Sequence, residues 1–175
     1  MENVIKRLKQ KPTIGKDVFI AHNSIVIGDV EIGDDASIWF NVVIRADVEA
    51  IKIGKNTNIQ DGSVIHVTKD RYSTKIGENV TIAHNVSLHG CTIEDFCLIG
   101  IGAVVLDNTV IGRNSIVAAG SVVPPNKVFP PNSLIMGNPG KVSRTTTKAD
   151  TEIIVKNAER YLKYKDIYLK MGFSS

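Results

Sequence analysis

Residues Ile93 to Val123 read IEDFCLIGIGAVVLDNTVIGRNSIVAAGSVV, and an aliphatic side chain returns at every sixth place: Ile93, Ile99, Val105, Ile111, Val117 and Val123. A period of six belongs neither to a helix, which repeats about every 3.6 residues, nor to a simple alternating strand of ordinary length. It suits a solenoid in which each hexad supplies one short strand and one turn. Upstream the same period runs through Ile14, Ile20, Val26, Ile32, Ile38 and Ile44, then Ile53, Ile59 and Ile65, then Ile76, Ile82 and Leu88. Small or turn-forming residues follow the aliphatic one, as in IGKDVF (14–19), IGKNTN (53–58) and IGRNSI (111–116), and a small or branched residue often holds the fifth place. One coil alone cannot bury its apolar side. Coils stacked about 4.8 Å apart pair as parallel strands around a narrow interior.

The period slips three times: Ile44 to Ile53 carries three extra residues, Ile65 to Ile76 carries five, and Leu88 to Ile93 is one short. Insertions in solenoids emerge as loops at corners, so loops are predicted after Ile44 and Ile65. Beside these slips stand three of the four histidines, His66, His84 and His89. Neutral imidazole suits borderline metals such as Zn²⁺, and three imidazoles with one open position form the usual layout of a catalytic zinc site.

Counted in hexads, Ile44, Ile65 and Leu88 lie three apart and stack on one side of the coil. Arg45, His66 and His89, which follow them, are predicted to form an outward column, with His66 and His89 one strand spacing apart. His84 is the third residue of the Ile82 hexad, on the preceding side, in the column of Asp61 and with Gln60 nearby. Extended chain from His84 to His89 spans about 16 Å, whereas Zn–N bonds are about 2.0–2.1 Å. Convergence within one subunit is therefore strained, and a neighbouring subunit supplying His84 about a threefold axis relieves it. A lone histidine on a solenoid reads as a surface residue, and His22 is left at that.

Composition sets the remaining bounds. With 175 residues, 43% hydrophobic and 22% charged, one domain with a real core is expected: the solenoid over 1–145, with hexads at about 14–140, and a helix over 146–175 belonging to the same domain. That helix begins near Thr147 and Asp150, and Ile153, Ile154, Ala158, Tyr161, Leu162, Tyr168 and Leu169 follow at helical spacing to about Met171. Five of the six prolines fall between Pro124 and Pro139, which fits turns closing the last coils. The start, MENVIKRLKQKP, lacks the apolar run of a secretory signal, and no membrane segment is expected. Its lysines and Arg7 read as a solvated arm; without stacking aromatics, no nucleic-acid partner is expected. Cys91 and Cys97 are too few for a disulfide framework or a thiolate zinc site. They read as small buried fillers in a cytoplasmic protein.

The hexads from Ile14 to Gly140 resemble the left-handed parallel β-helix of hexapeptide-repeat proteins. The handedness comes from that resemblance, against the usual right-handed preference of parallel crossovers. The stretches NVVIRAD (41–47), NIQDGSVIHV (58–67) and TIAHNVSLHGC (81–91) resemble, more narrowly, the γ-class carbonic anhydrases. This likeness implies a homotrimer in which His66 and His89 of one chain and His84 of the next hold Zn²⁺, with Fe²⁺ or Co²⁺ as alternatives. It implies reversible hydration of CO₂ to bicarbonate, since zinc lowers the pKa of its bound water to around 7 and makes hydroxide available. Gln60 matches the residue that orients the zinc-bound solvent, and Arg45 and Asp47 match a salt bridge across the subunit interface. Asp61 is expected in that same network, and Tyr161 near the pocket.

The match departs in two places. Val48 and only then Glu49 follow Arg45 and Asp47, where the family's archetype has a glutamate at once. The segment between Val67 and Ile76 is short and basic, where that archetype has a longer acidic loop with a proton-shuttling glutamate. Proton export needs a carrier near the metal, so its loss implies slow turnover or another carrier. Two alternatives remain at this point. A hexapeptide acyltransferase would use one general-base histidine and an extended loop, and a metal-binding scaffold would keep the ligands with little turnover.

Overall fold

The structure is a computed structural model describing residues 2–174. The end residues of the two predicted spans, Met1 and Ser175, lie outside the described residues. The chain forms a parallel β-solenoid of about seven turns with a C-terminal helix, the left-handed hexapeptide β-helix.

Each coil has three faces, and rungs on each face pair in parallel with the aliphatic residues in register. One face stacks Val26, Ile44, Ile65, Leu88, Val105 and Val123. It is called the histidine face below. The next stacks Ile14, Ile32, Ile53, Ile76, Ile93 and Ile111, and the third Ile20, Ile38, Ile59, Ile82, Ile99 and Val117. Most of these side chains are fully buried and make one continuous core. The period outlasts Val123: Phe129 and Ile135 carry it to the end of the solenoid. The chain leaves through an antiparallel pair, Ser133–Gly137 with Gly140–Thr145.

Local chemistry explains the hexad. Its fourth place turns the corner in the left-handed region, at Asp17 (φ 53°), Asn56 (58°), Asn79 (55°) and Asn114 (56°). Asn, Asp and Gly accept that conformation at low cost. Phe96 (φ 54°) is the exception. The glycine after the aliphatic residue meets a different demand, because a Cβ on Gly33 would lie 2.7 Å from the backbone nitrogen of Lys55 on the next rung. Fifth-place residues such as Thr57 and Ser63 point inside, and their hydroxyls donate to Gly77 O at 2.8 Å and Ala83 O at 2.9 Å. Their burial is therefore compensated.

Of the two predicted loops, one is a strand. The extra residues after Ile44 lie within the continuous strand Val43–Ile53, which pairs with Ile25–Ile32 through a register shift between Gly28 and Val30. Ala46 and Ile51 are fully buried there, so the added length goes into the sheet as it rounds the corner. The insertion after Ile65 is a loop, closed by Thr68 pairing with Tyr72. The basic N-terminus also differs from the expected arm. Helix α1 (Glu2–Leu8) packs on those same two strands, and Arg7 bonds Asp29 at 2.5 Å and Glu49 at 3.0 Å.

Helix α2 (Lys148–Lys170) starts at Thr147 in a capping box with Asp150 and lies along the third face. Ile154 and Ala158 are buried beneath it, and Tyr161 and Tyr168 pack on Trp39. Lys165 is buried, its ammonium donating to Asp35 Oδ1 at 2.8 Å and to the Asp17 carbonyl at 3.0 Å. Burial opposes the charge, but hydrogen bonds to Asp35 and Asp166 outweigh it and raise the pKa. Both cysteines are buried, and that burial pushes their thiols up to about 12. No described helix is long and apolar enough to cross a membrane.

The faces differ in what covers them. Helix α2 covers the third. On the second, Glu31 bonds Lys52 at 2.7 Å. The second also exposes Val128, at 77%, and the histidine face exposes Ile25 at 51% and Val64 at 43%.

Candidate metal centre

His66 and His89 occupy one register position on adjacent rungs, as the hexad count predicts. Their rings approach closely, with His66 Nδ1 3.1 Å from His89 Nε2. Each outer nitrogen meets a carboxylate: His66 Nε2 lies 2.9 Å from Asp47 Oδ1, and His89 Nδ1 lies 2.7 Å from Asp107 Oδ1. An ionised carboxylate only accepts, so each outer nitrogen is the donor in its pair and carries a proton. The inner pair, His66 Nδ1 and His89 Nε2, face each other at hydrogen-bond distance, where a proton or a metal ion can be shared between them. Two nitrogens bound tetrahedrally at about 2.0–2.1 Å sit roughly 3.3 Å apart, close to the spacing found, so the donors fit a metal.

Arg45 pairs with Asp47 on this edge within one chain. Asp47 thus holds an imidazole with one oxygen and a guanidinium with the other. Burial opposes its ionisation, but the bonds from His66 and Arg45 outweigh it and hold the carboxyl below its usual pKa.

His84 stands at the other end of the histidine face, where the chain enters it. Its Nδ1 is 2.9 Å from Asp61 Oδ2, so Asp61 partners His84 rather than joining Arg45 and Asp47 within the chain. The reason is the column: both residues stand two places after stacked aliphatics, Ile59 and Ile82. Gln60, buried with its amide donating to Asn58 at 3.0 Å, shares an open cavity with His84 and Tyr161. Burial, and then the nearby Asp61 carboxylate, raise the pKa of Tyr161, which keeps its phenol protonated. The eight predicted residues thus fall into two groups, Arg45, Asp47, His66 and His89 at one edge and Gln60, Asp61, His84 and Tyr161 at the other. Among the described residues, no three His, Cys, Asp or Glu side chains of one chain gather around a point that could hold a metal.

A family model for the bacterial transferase hexapeptide (six repeats) matches residues 11–46 and 90–125. The chain is 48% identical over 153 residues to the probable carbonic anhydrase of Methanocaldococcus jannaschii, an alignment covering 87% of this chain and 96% of that protein. This chain belongs to the γ-class carbonic anhydrase family. Gamma carbonic anhydrase 2, mitochondrial, of Arabidopsis thaliana is 42% identical over 164 residues, 91% of this chain but 59% of that longer protein. The chain thus spans about three-fifths of this plant relative. A solved structure titled a putative acetyltransferase, from Bacillus cereus, superposes on this γ-class member with a TM-score of 0.90 at 38% identity, covering 93% of this chain and 94% of that one.

Two participants escaped the sequence reading, Asp107 and Thr68. The signal was present, because Asp107 stands two places after Val105, which stacks directly on Leu88.

Proposed function

We propose that this protein is a metal-dependent carbonic anhydrase, interconverting CO₂ and bicarbonate, whose site forms between copies of the chain. The carrying observation is the pair of facing ring nitrogens on His66 and His89, each ring oriented from behind by a carboxylate. The third ligand in this reading is His84 of a second copy. A cyclic trimer brings one end of each histidine face to the opposite end of the next, and the exposed Ile25 and Val64 supply the apolar contact such an interface needs.

A bound Zn²⁺, Fe²⁺ or Co²⁺ supplies a nucleophile near neutral pH by acidifying water. The chain's own residues do the rest. His66 and His89 donate lone pairs, and Asp47 and Asp107 keep their protons on the outer nitrogens. Gln60 offers an amide to orient water or substrate, and Tyr161 remains a neutral donor at the cavity wall. Arg45 offsets the negative charge that Asp47 brings to the centre.

Subunit mixing tests this directly. His66→Ala and His84→Ala proteins should each lack metal and stopped-flow CO₂ hydration, tested with Zn²⁺ and, under reducing conditions, with Fe²⁺ or Co²⁺. Unfolding and refolding the two together should restore part of both, because mixed assemblies contain intact sites. Metal uptake without hydration by the unaltered protein would favour a scaffold. Acyl transfer from a thioester donor by metal-free protein would favour the transferase chemistry named for the Bacillus cereus structure.

A further inference from the structure

We propose that Asp107, steadied by Thr68 and admitted by the absent side chain of Gly90, is the positioning residue for His89. The inference rests on the metal reading above and extends it to Thr68 and Asp107, which lie outside the family-like motifs, and to Gly90 within one of them. Asp107 comes from the rung beyond His89 and bonds its Nδ1 at 2.7 Å. The same carboxylate oxygen accepts from the Thr68 hydroxyl at 2.9 Å, and that hydroxyl also lies 3.4 Å from His89 Nδ1. Thr68 belongs to the short loop after His66. That loop brings no acidic group to His89, and what it contributes is an anchor for the ligand's partner.

Gly90 supplies the room for this contact, as Gly15 and Gly77 do for Asp34 and Asp95 elsewhere in the solenoid. A Cβ at this position would lie 2.4 Å from Asp107 Oδ1 and 2.9 Å from the Cβ of Tyr72. Its φ of 55° could be met by Asn or Asp, as at other corners, but a side chain here would press on the carboxylate and on the Tyr72 Cβ. Three separate segments, the loop, the corner and the next rung, therefore meet on one imidazole.

The pairing has a chemical purpose. An outer hydrogen bond to a carboxylate fixes a ligand histidine's tautomer and ring angle and raises its basicity, and losing such a partner typically costs roughly 10–100-fold in metal affinity. His66 already has this support from Asp47. Without Asp107 the His89 ring could rotate or place its proton on Nε2, removing the lone pair that faces His66. Asp107 does not touch substrate, and its role is exercised through His89.

The test measures Co²⁺ affinity by chelator competition together with the visible absorbance of the Co²⁺ protein, which reports ligand geometry. Asp107→Ala should weaken binding roughly 10–100-fold and alter the spectrum. Asp107→Asn, whose amide oxygen still accepts from Nδ1, should recover most of the affinity. Thr68→Val should show a smaller loss. Apo-protein melting of Asp107→Ala and Asp107→Asn should match, separating ligand positioning from folding. If the unaltered protein takes up Co²⁺ and Asp107→Ala binds it equally well with an unchanged spectrum, the role of Asp107 is overturned and the metal reading stands. Equal losses in Asp107→Ala and Asp107→Asn would also overturn it. An unaltered protein that takes up no Co²⁺ overturns the metal reading and this inference together.

Discussion

The two edges of the histidine face use the same hexad to different ends. At one edge, His66 and His89 lie on strands paired in register, and their rings meet each other and two carboxylates. The His66 and Asp47 side chains there are 18% and 14% exposed, and His89 and Asp107 are 38% and 32% exposed. At the other edge, His84 and Asp61 are each 41% exposed, at a corner beside the cavity that α2 walls. In the proposed reading the first edge is a preorganised pair of ligands, and the second presents one ligand beside groups suited to bind small polar molecules. In that reading, a site divided in this way is complete only when one edge meets the other on a second copy.

Removing a ligand gives the largest effect and breaks the comparison most directly. His66→Ala should lower metal affinity by more than the roughly 10–100-fold that an outer partner is worth, read by metal analysis after dialysis. If metal content survives His84→Ala but not His66→Ala, the second edge holds no ligand. Next in size, Val64→Glu places an uncompensated charge at the centre of the histidine face, where burial against another copy would cost several kcal/mol. Light scattering should show smaller assemblies, with the monomer's circular dichroism retained. A mass unchanged by the substitution would remove this face from the interface.

Lys165→Ala sharpens the comparison by loosening α2 from beneath the second edge alone. It deletes charge-assisted bonds to Asp35 and the Asp17 carbonyl, and a loss of about 2 kcal/mol is expected in denaturant melts. Because those bonds raise the lysine pKa, the stabilisation is complete below the ordinary value of 10.5 and is lost as pH rises through the folded one. The His66···His89 edge should keep its metal-dependent properties if the assembly stays intact. Smaller again, Thr147→Ala removes the helix cap at a cost of about 1 kcal/mol. Its partner Asp150 is held well below the usual carboxylate range, first by Arg144 and then by Thr147. The melting difference between the unaltered protein and Asp150→Asn should therefore be full above about pH 4 and shrink as pH falls below the ordinary value of 3.8.

Much of this architecture could be read residue by residue. The sixfold return of aliphatics specified the coil, and counting by three hexads put His66 beside His89. The Thr147 and Asp150 pair marked where the last helix begins. Helix α1 escaped because seven residues carry little periodicity, and what secures them is an ion pair from Arg7 to Asp29 and Glu49. The strand after Ile44 escaped because an insertion looks alike whether it bulges into solvent or lengthens a ladder. Only the burial of Ala46 and Ile51 tells them apart.

The sequence by itself determined the repeat, its faces and the three candidate ligands, since a fixed period dictates which side chains share a column whatever the coil's exact shape. Only the tertiary structure decided which carboxylate serves which histidine: Asp61 for His84, Asp47 for His66 and Asp107 for His89. The spacing puts Asp61 in the column of His84, but whether each carboxylate reaches its ring depends on side-chain geometry across neighbouring rungs and on the space left by a missing Cβ at Gly90, which a linear period does not specify.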